Sequence, residues 1–144
     1  MYTRPGGYIG AEEAGRLADL AEERGNRLTI REPDGLLVLA PEPAVRVVVG
    51  NLLRNALAYT ESGEVEVGLK EGRLKVSDTG VGMSRQELAR AFDPFYRGEA
   101  GRAMAQGHGL GLSIVRRLTA QYGWTLHARS SPGHGTTVEV RFSE

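Results

Sequence analysis

Four clusters of residues in this chain have types and spacings that could do chemistry. The first is Asn51-Leu-Leu-Arg-Asn55. Two asparagines four residues apart share one face of a helix. Their amide oxygens can ligate a hard cation such as magnesium beside phosphate oxygens, though surface or capping asparagines have the same look. The second is Asp78-Thr-Gly80-Val-Gly82. A carboxylate at the end of a strand can accept a hydrogen bond from an exocyclic amine such as that of adenine, and two glycines let a ligand approach the backbone closely. Asp and Gly are also the residues of a plain turn. The third is Gly107-His108-Gly109-Leu110-Gly111-Leu112. Glycines ahead of a helix leave its first N–H groups free, and the helix dipole favours phosphate there. A hinge is the competing reading. Neither the dinucleotide fingerprint nor a Gly-Lys-Ser/Thr phosphate loop fits this spacing. The fourth is Phe92-Asp-Pro-Phe95-Tyr-Arg97, where aromatics can pin a loop and Arg97 can fork onto a phosphate. His108, His127 and His134 have no partners at metal-ligand spacing.

These clusters need elements to hold them. Apolar residues at helical spacing predict helices over Ala11–Arg24, Pro41–Tyr59 and Leu110–Tyr122. Val45, Val48, Leu52 and Ala56 mark the buried side of the second, with Asn51 and Asn55 bordering it. Ser84 with Glu87 predicts a capping box opening a short helix to Ala91. Strand-like runs are Leu28–Ile30, Leu36–Leu39, Glu64–Leu69, Arg73–Val76, Trp124–Ala128 and Thr136–Phe142, with turn residues at 33–35, 71–72 and 132–133. Residues 97–109 hold four glycines and no apolar periodicity, which predicts a long mobile loop. Residues 1–9 read as a loose arm, and 10–144 as one domain. Strands arriving in adjacent pairs leave little room for parallel crossovers. They point to an α+β two-layer sandwich with helices on one face of a mixed sheet.

Composition narrows the function. With 144 residues and 40% hydrophobic content, the chain has the makings of one globular domain. Its 18 basic and 18 acidic side chains cancel, which argues against nucleic acid or an anionic membrane as partner. With no cysteine there is no disulfide, zinc–thiolate site or thiol nucleophile. No apolar run approaches the ~20 residues of a membrane span.

Taken in order, the four clusters resemble the N box, first G box, F box and second G box of bacterial sensor histidine kinases, and Gly135-Thr136-Thr137 resembles their final glycine–threonine element. The resemblance covers residues 10–142. It implies the Bergerat ATP-binding fold, also found in gyrase, Hsp90 and MutL-type ATPases: a mixed, mostly antiparallel sheet with about three helices on one face. The implied cofactors are ATP and Mg²⁺. Asn55 would hold the metal, and Asn51 and Arg97 would serve the phosphates as further catalytic residues. Asp78 would bind the adenine amino group, directly and through water near Gly82 and Thr137, and Tyr59 would pack near the ring. Gly80, Met83 and Phe95 would also belong to the ATP-binding set. Residues 83–112 would form the ATP lid, in which Gly109, Leu110, Gly111 and Leu112 would present backbone amides to the phosphates, and Gly107 and His108 would also be ATP-binding.

The family resemblance also implies a cytoplasmic domain whose parent can be membrane-anchored, a helical dimerisation and phosphoacceptor domain as partner, and a response regulator downstream. Two departures stand out. Ala58 lies where the family often has Lys or Arg, and no histidine precedes residue 108, so the phosphoacceptor is expected on another domain. Autophosphorylation of this chain alone is not expected. The alternatives are a gyrase- or Hsp90-like ATPase, which would carry Glu at the position of Asn51, and a stand-alone module resembling serine-kinase anti-sigma factors or a degenerate pseudokinase.

Overall fold

The computed structural model describes residues 2–3, 11–31, 38–39, 41–70, 72–94 and 111–142. In chain order the elements are β1 (Tyr2–Thr3), α1 (Ala11–Glu23), β2 (Arg27–Arg31), β3 (Val38–Leu39), α2 (Glu42–Ala58), β4 (Glu64–Lys70), β5 (Arg73–Asp78), α3 (Arg85–Arg90), α4 (Gly111–Tyr122), β6 (Thr125–Ser131) and β7 (Gly135–Arg141). Five strands form one sheet in the order β2-β4-β5-β7-β6. β2 and β4 run parallel and every other neighbouring pair antiparallel. The expected mixed, mostly antiparallel sheet is therefore present.

Alternation decides which face meets the helices. Val65 and Val67 of β4, Leu74 and Val76 of β5, and Val138 and Val140 of β7 are buried, while Glu64, Glu66, Arg73, Lys75 and Arg141 are exposed. α1, α2 and α4 cover the apolar face. α2 lies centrally: Val45, Val48, Leu52 and Leu53 are at most 2% exposed. Trp124 closes the far end, stacked on Tyr122 and edge-on to Phe142, each ring centroid 4.8 Å away. The short helix α3 opens as expected. Ser84 Oγ accepts the Glu87 N–H at 3.1 Å, and the Glu87 carboxylate accepts the Ser84 N–H at 2.9 Å.

One pairing departs from expectation. β2 does not pair with the run that follows it. The register Leu28↔Val65 and Ile30↔Val67 gives β2 a parallel partner in β4, reached by a crossover through α2. Val38–Leu39 instead pair antiparallel with Tyr2–Thr3, inside the segment expected as an arm. Local turn residues at 33–35 signal a change of direction but carry no information on which strand is the better neighbour. No described helix is long and apolar enough to cross a membrane.

Candidate functional site

α2 is the ruler of the site. Asn51, Asn55 and Tyr59 recur every four residues at its half-buried edge, so they span about 12 Å along the axis. The two asparagines differ in what they hold. Asn51 Nδ2 donates to the Val47 carbonyl at 2.8 Å, and its Oδ1 accepts from Arg54 Nη2 at 3.3 Å. Arg54 is itself paired with Glu13 of α1, which also holds Arg16 at 2.9 Å. The Asn55 side chain makes no hydrogen bond to any described residue. Its amide oxygen is the one at this edge left for an external cation or donor.

α4 begins against the same edge. A Cβ on Gly111 would lie 3.2 Å from Asn51 Oδ1, so glycine lets the first turn of this helix close on α2. Leu112 packs on the hydrophobic core from that turn. The α4 N-terminus thus lies beside Asn51, as sequence spacing alone could not reveal.

At the other end of the ruler stands Asp78, the last residue of β5. Its Oδ1 accepts the N–H groups of Gly80 at 2.9 Å and Thr136 at 3.2 Å. Oδ2 accepts no bond of ordinary geometry from any described residue. Thr60 lies alongside, fully buried, with a hydroxyl oxygen that has no hydrogen-bond partner among the described residues. Burial pushes the Asp78 carboxyl above the ordinary range. The Gly80 and Thr136 amides, and the nearby Thr60 hydroxyl, oppose that rise without cancelling it. The result is a carboxylate with one oxygen fixed by backbone and one left for a donor.

The glycines around Asp78 have a reason that sequence reading missed. A Cβ on Gly80 would strike the Tyr59 carbonyl. Gly82, at φ +69°, faces the Ser131 carbonyl, and Gly135, at φ +87°, faces the carbonyl of Asp78 itself. Backbone from three separate segments fills the space, so these glycines serve close packing within the protein. The Val81 N–H donates to the Tyr59 carbonyl at 3.1 Å, and the Val81 carbonyl accepts from Gly133 at 2.7 Å. Met83, where the expected lid starts, is tied by its N–H to Ser130 Oγ at 2.7 Å.

Thr137 requires a correction. It pairs across the sheet with Ser77, their hydroxyl oxygens 3.2 Å apart, on the face opposite Val76 and Val138 and so opposite Asp78. Thr136 is the residue beside Asp78. The period of two in β7 carries that signal, since Thr136 shares its side with Val138 and Val140. Thr60 and Arg54 were missed as well, and no local pattern marks either. Phe95, Arg97, Gly107, His108, Gly109 and Leu110 lie outside the described residues, as does most of the expected loop over 97–109.

A carboxylate with one open oxygen, a free asparagine amide and a helix N-terminus along one 17-residue helix form a nucleotide-sized frame. The profile of the histidine kinase-, DNA gyrase B- and HSP90-like ATPases matches residues 40–144. The chain belongs to this family. It is 38% identical over 117 residues to the sensor histidine kinase YkoH of Bacillus subtilis, covering 78% of this chain and 26% of that protein. To the sensor-like histidine kinase SenX3 of Mycolicibacterium smegmatis it is 30% identical over 142 residues, 94% of this chain and 37% of the relative. The chain thus spans 26% and 37% of the length of these two relatives. Among solved structures it resembles the mycobacterial sensor histidine kinase MprB, with TM-score 0.69, 25% identity, and 90% and 91% of the two chains covered. Full-length ShkA in complex with AMPPNP is also similar, with TM-score 0.73 and 27% identity over 94% of this chain and 29% of that one. This is an ATP-binding domain of the kind found in sensor histidine kinases.

Proposed function

We propose that this domain binds Mg-ATP and supplies its γ-phosphoryl to a histidine on a separate helical dimerisation and phosphoacceptor domain, in a two-component pathway that ends on a response regulator. The observation that carries the reading is Asp78, with Oδ1 held by two amides and Oδ2 open at the far end of the helix that bears Asn51 and Asn55. Adenine offers an exocyclic amine to such an oxygen. The AMPPNP bound in ShkA is an ATP analogue of the same shape.

Magnesium fits the residues present. The described residues hold no group of three or more metal-binding His, Cys, Asp or Glu side chains. A single amide oxygen from Asn55 suits a cation that takes most of its ligands from phosphate and water. When bound, the ion would neutralise charge on the β- and γ-phosphates. Asn55 would hold it. Asn51, committed to Val47 and Arg54, would keep its end of α2 in place beside the α4 amides, which would face the phosphates together with Arg97. Tyr59 would pack near the ring. In the transfer, the bond from Pγ to the β–γ bridging oxygen breaks and a bond from the acceptor imidazole nitrogen to Pγ forms, with ADP leaving. Asn51 carries no carboxylate to activate water, which disfavours efficient hydrolysis. We place residues 10–144 in this domain, 83–112 in its lid, and the working location in the cytoplasm.

The test is calorimetric titration of the chain with ATP and Mg²⁺, followed by phosphotransfer to an added dimerisation domain from a related kinase. Saturable binding and phosphohistidine on the added domain are expected. Absence of binding at millimolar ATP would overturn the reading in favour of a module that acts through protein contacts.

A further inference from the structure

The face of the sheet away from the helices is divided into two halves of different charge. On the β2–β4 half, cations and carboxylates alternate and pair. Arg27 stands opposite Glu64, and Arg31 reaches Glu66 at 2.7 Å. On the β5–β7–β6 half they do not. Register places nine residues there as a three-by-three grid: Arg73, Lys75 and Ser77 on β5; Arg141, Glu139 and Thr137 on β7; Thr125, His127 and Arg129 on β6. Glu139 occupies the centre. Arg73, Lys75, Arg129 and Arg141 surround it, all four exposed and none in an ion pair with a described residue. Arg73 and Arg141 are direct cross-strand neighbours, an arrangement that destabilises a sheet. Neighbouring positions are about 5 Å apart across the strands and about 7 Å along them, so these charges act within one Debye length of each other. The whole chain is neutral, with 18 charges of each sign, so this surplus is local.

We propose that the β5–β7–β6 half of the open sheet face is a docking surface for an acidic protein segment. Charge complementarity favours that occupant: a partner's carboxylates would relieve the repulsion among four cations that share a single carboxylate, Glu139. The grid also argues against the other anionic surfaces. It contains no Phe, Tyr, Trp or aliphatic side chain to insert among lipids. Its central carboxylate would repel a uniform layer of phosphates, whereas a protein can place a hydrogen-bond donor opposite Glu139 and carboxylates around it. The surface lies on the side of the sheet away from Asp78, so it can be occupied without competing for the nucleotide site.

The test uses the 144-residue chain and a fluorescein-labelled peptide of twelve alternating Asp and Glu residues, followed by anisotropy at low and physiological salt. Parallel measurements use phosphatidylglycerol vesicles and duplex DNA. Binding of the peptide that weakens with salt is expected, and it should weaken at least tenfold further in Arg73→Glu/Arg129→Glu. ATP affinity should stay within twofold, which separates failure of this surface from failure of the nucleotide site. Arg129→Gln/Lys75→Gln removes two charges without reversing any and keeps the test valid if the first variant folds poorly. Arg141→Glu alone sets a carboxylate opposite Arg73 and should raise Tm while weakening the peptide. Peptide binding that these variants leave unchanged would overturn the proposal, as would its absence at low salt. Tighter binding to vesicles or DNA than to the peptide would overturn it too.

Discussion

The two ends of the site are built differently. Around Asp78, backbone from the α2 C-terminus, the β5 end and the β6–β7 turn is packed so closely that glycine is required at 80, 82 and 135. The Thr136 N–H, donating to the Asp78 carboxylate, and the Val81 and Gly133 N–H groups, donating to main-chain carbonyls, lock that packing. At the other end, Asn55 offers one open amide on a helix edge, and the start of α4 lies against Asn51. The comparison teaches that the proposed adenine end is rigid before any ligand arrives. The proposed phosphate end keeps a ligand-facing group free, so it gains more of its order from what it binds.

The strongest way to break this contrast is Gly82→Ala. A Cβ at φ +69°, pressed on the Ser131 carbonyl, should cost about 3 kcal/mol, a fall of roughly 10 °C in Tm by calorimetry. A variant that melts like the wild type would mean that the Asp78 end is not rigid. Asp78→Asn sharpens the contrast from the ligand side. Its Oδ1 can keep the two amides, which leaves an NH₂ facing the adenine amine. ATP affinity should fall ~100-fold or more, about 2.7 kcal/mol, while Tm holds or rises because a buried charge is gone. An unchanged affinity in isothermal titration would remove Asp78 from the site.

Asn55→Ala probes the other end. With no described hydrogen bond to lose, its stability should stay within ~0.5 kcal/mol of wild type. Mg-ATP affinity should fall about tenfold, and the difference between titrations with and without Mg²⁺ should shrink. Equal Mg²⁺ dependence in both proteins would place the metal elsewhere. The smallest effect is on pH. Because burial raises the Asp78 carboxyl, its contribution to stability is present below the unfolded carboxyl range and is lost as pH rises through the raised folded value. Nucleotide binding needs the ionised form and should run the opposite way, weakening as pH falls through that value. Asp78→Asn should flatten the Asp78 share of both profiles, read from Tm and Kd between pH 4 and 8.

Much of this was legible in the residues. The apolar spacing of α2, the Ser84–Glu87 box, the β4–β5 hairpin and the β6–β7 turn rest on contacts within a few positions, and each lies near its expected place. The order of the four motifs carried the family. Other features were present but read wrongly: alternation along β7 assigns Thr136, and not Thr137, to the side of Asp78. Still others left no local trace, such as the Arg54 link from Glu13 to Asn51, which joins residues 41 apart in the chain.

By itself the sequence determined the elements, the faces they bury and the types of side chain available to a nucleotide, because periodicity, caps and turn residues act over one or two turns of chain. Tertiary structure alone decided that β2 runs beside β4, that the Thr136 N–H reaches an Asp78 oxygen 58 positions away, and that three glycines face carbonyls of other segments. It also decided that four cations meet on one half of a sheet face, while on the other half Arg31 pairs with Glu66. Those outcomes depend on strand register and burial, which are set by competition among distant partners and not by any stretch of residues read alone.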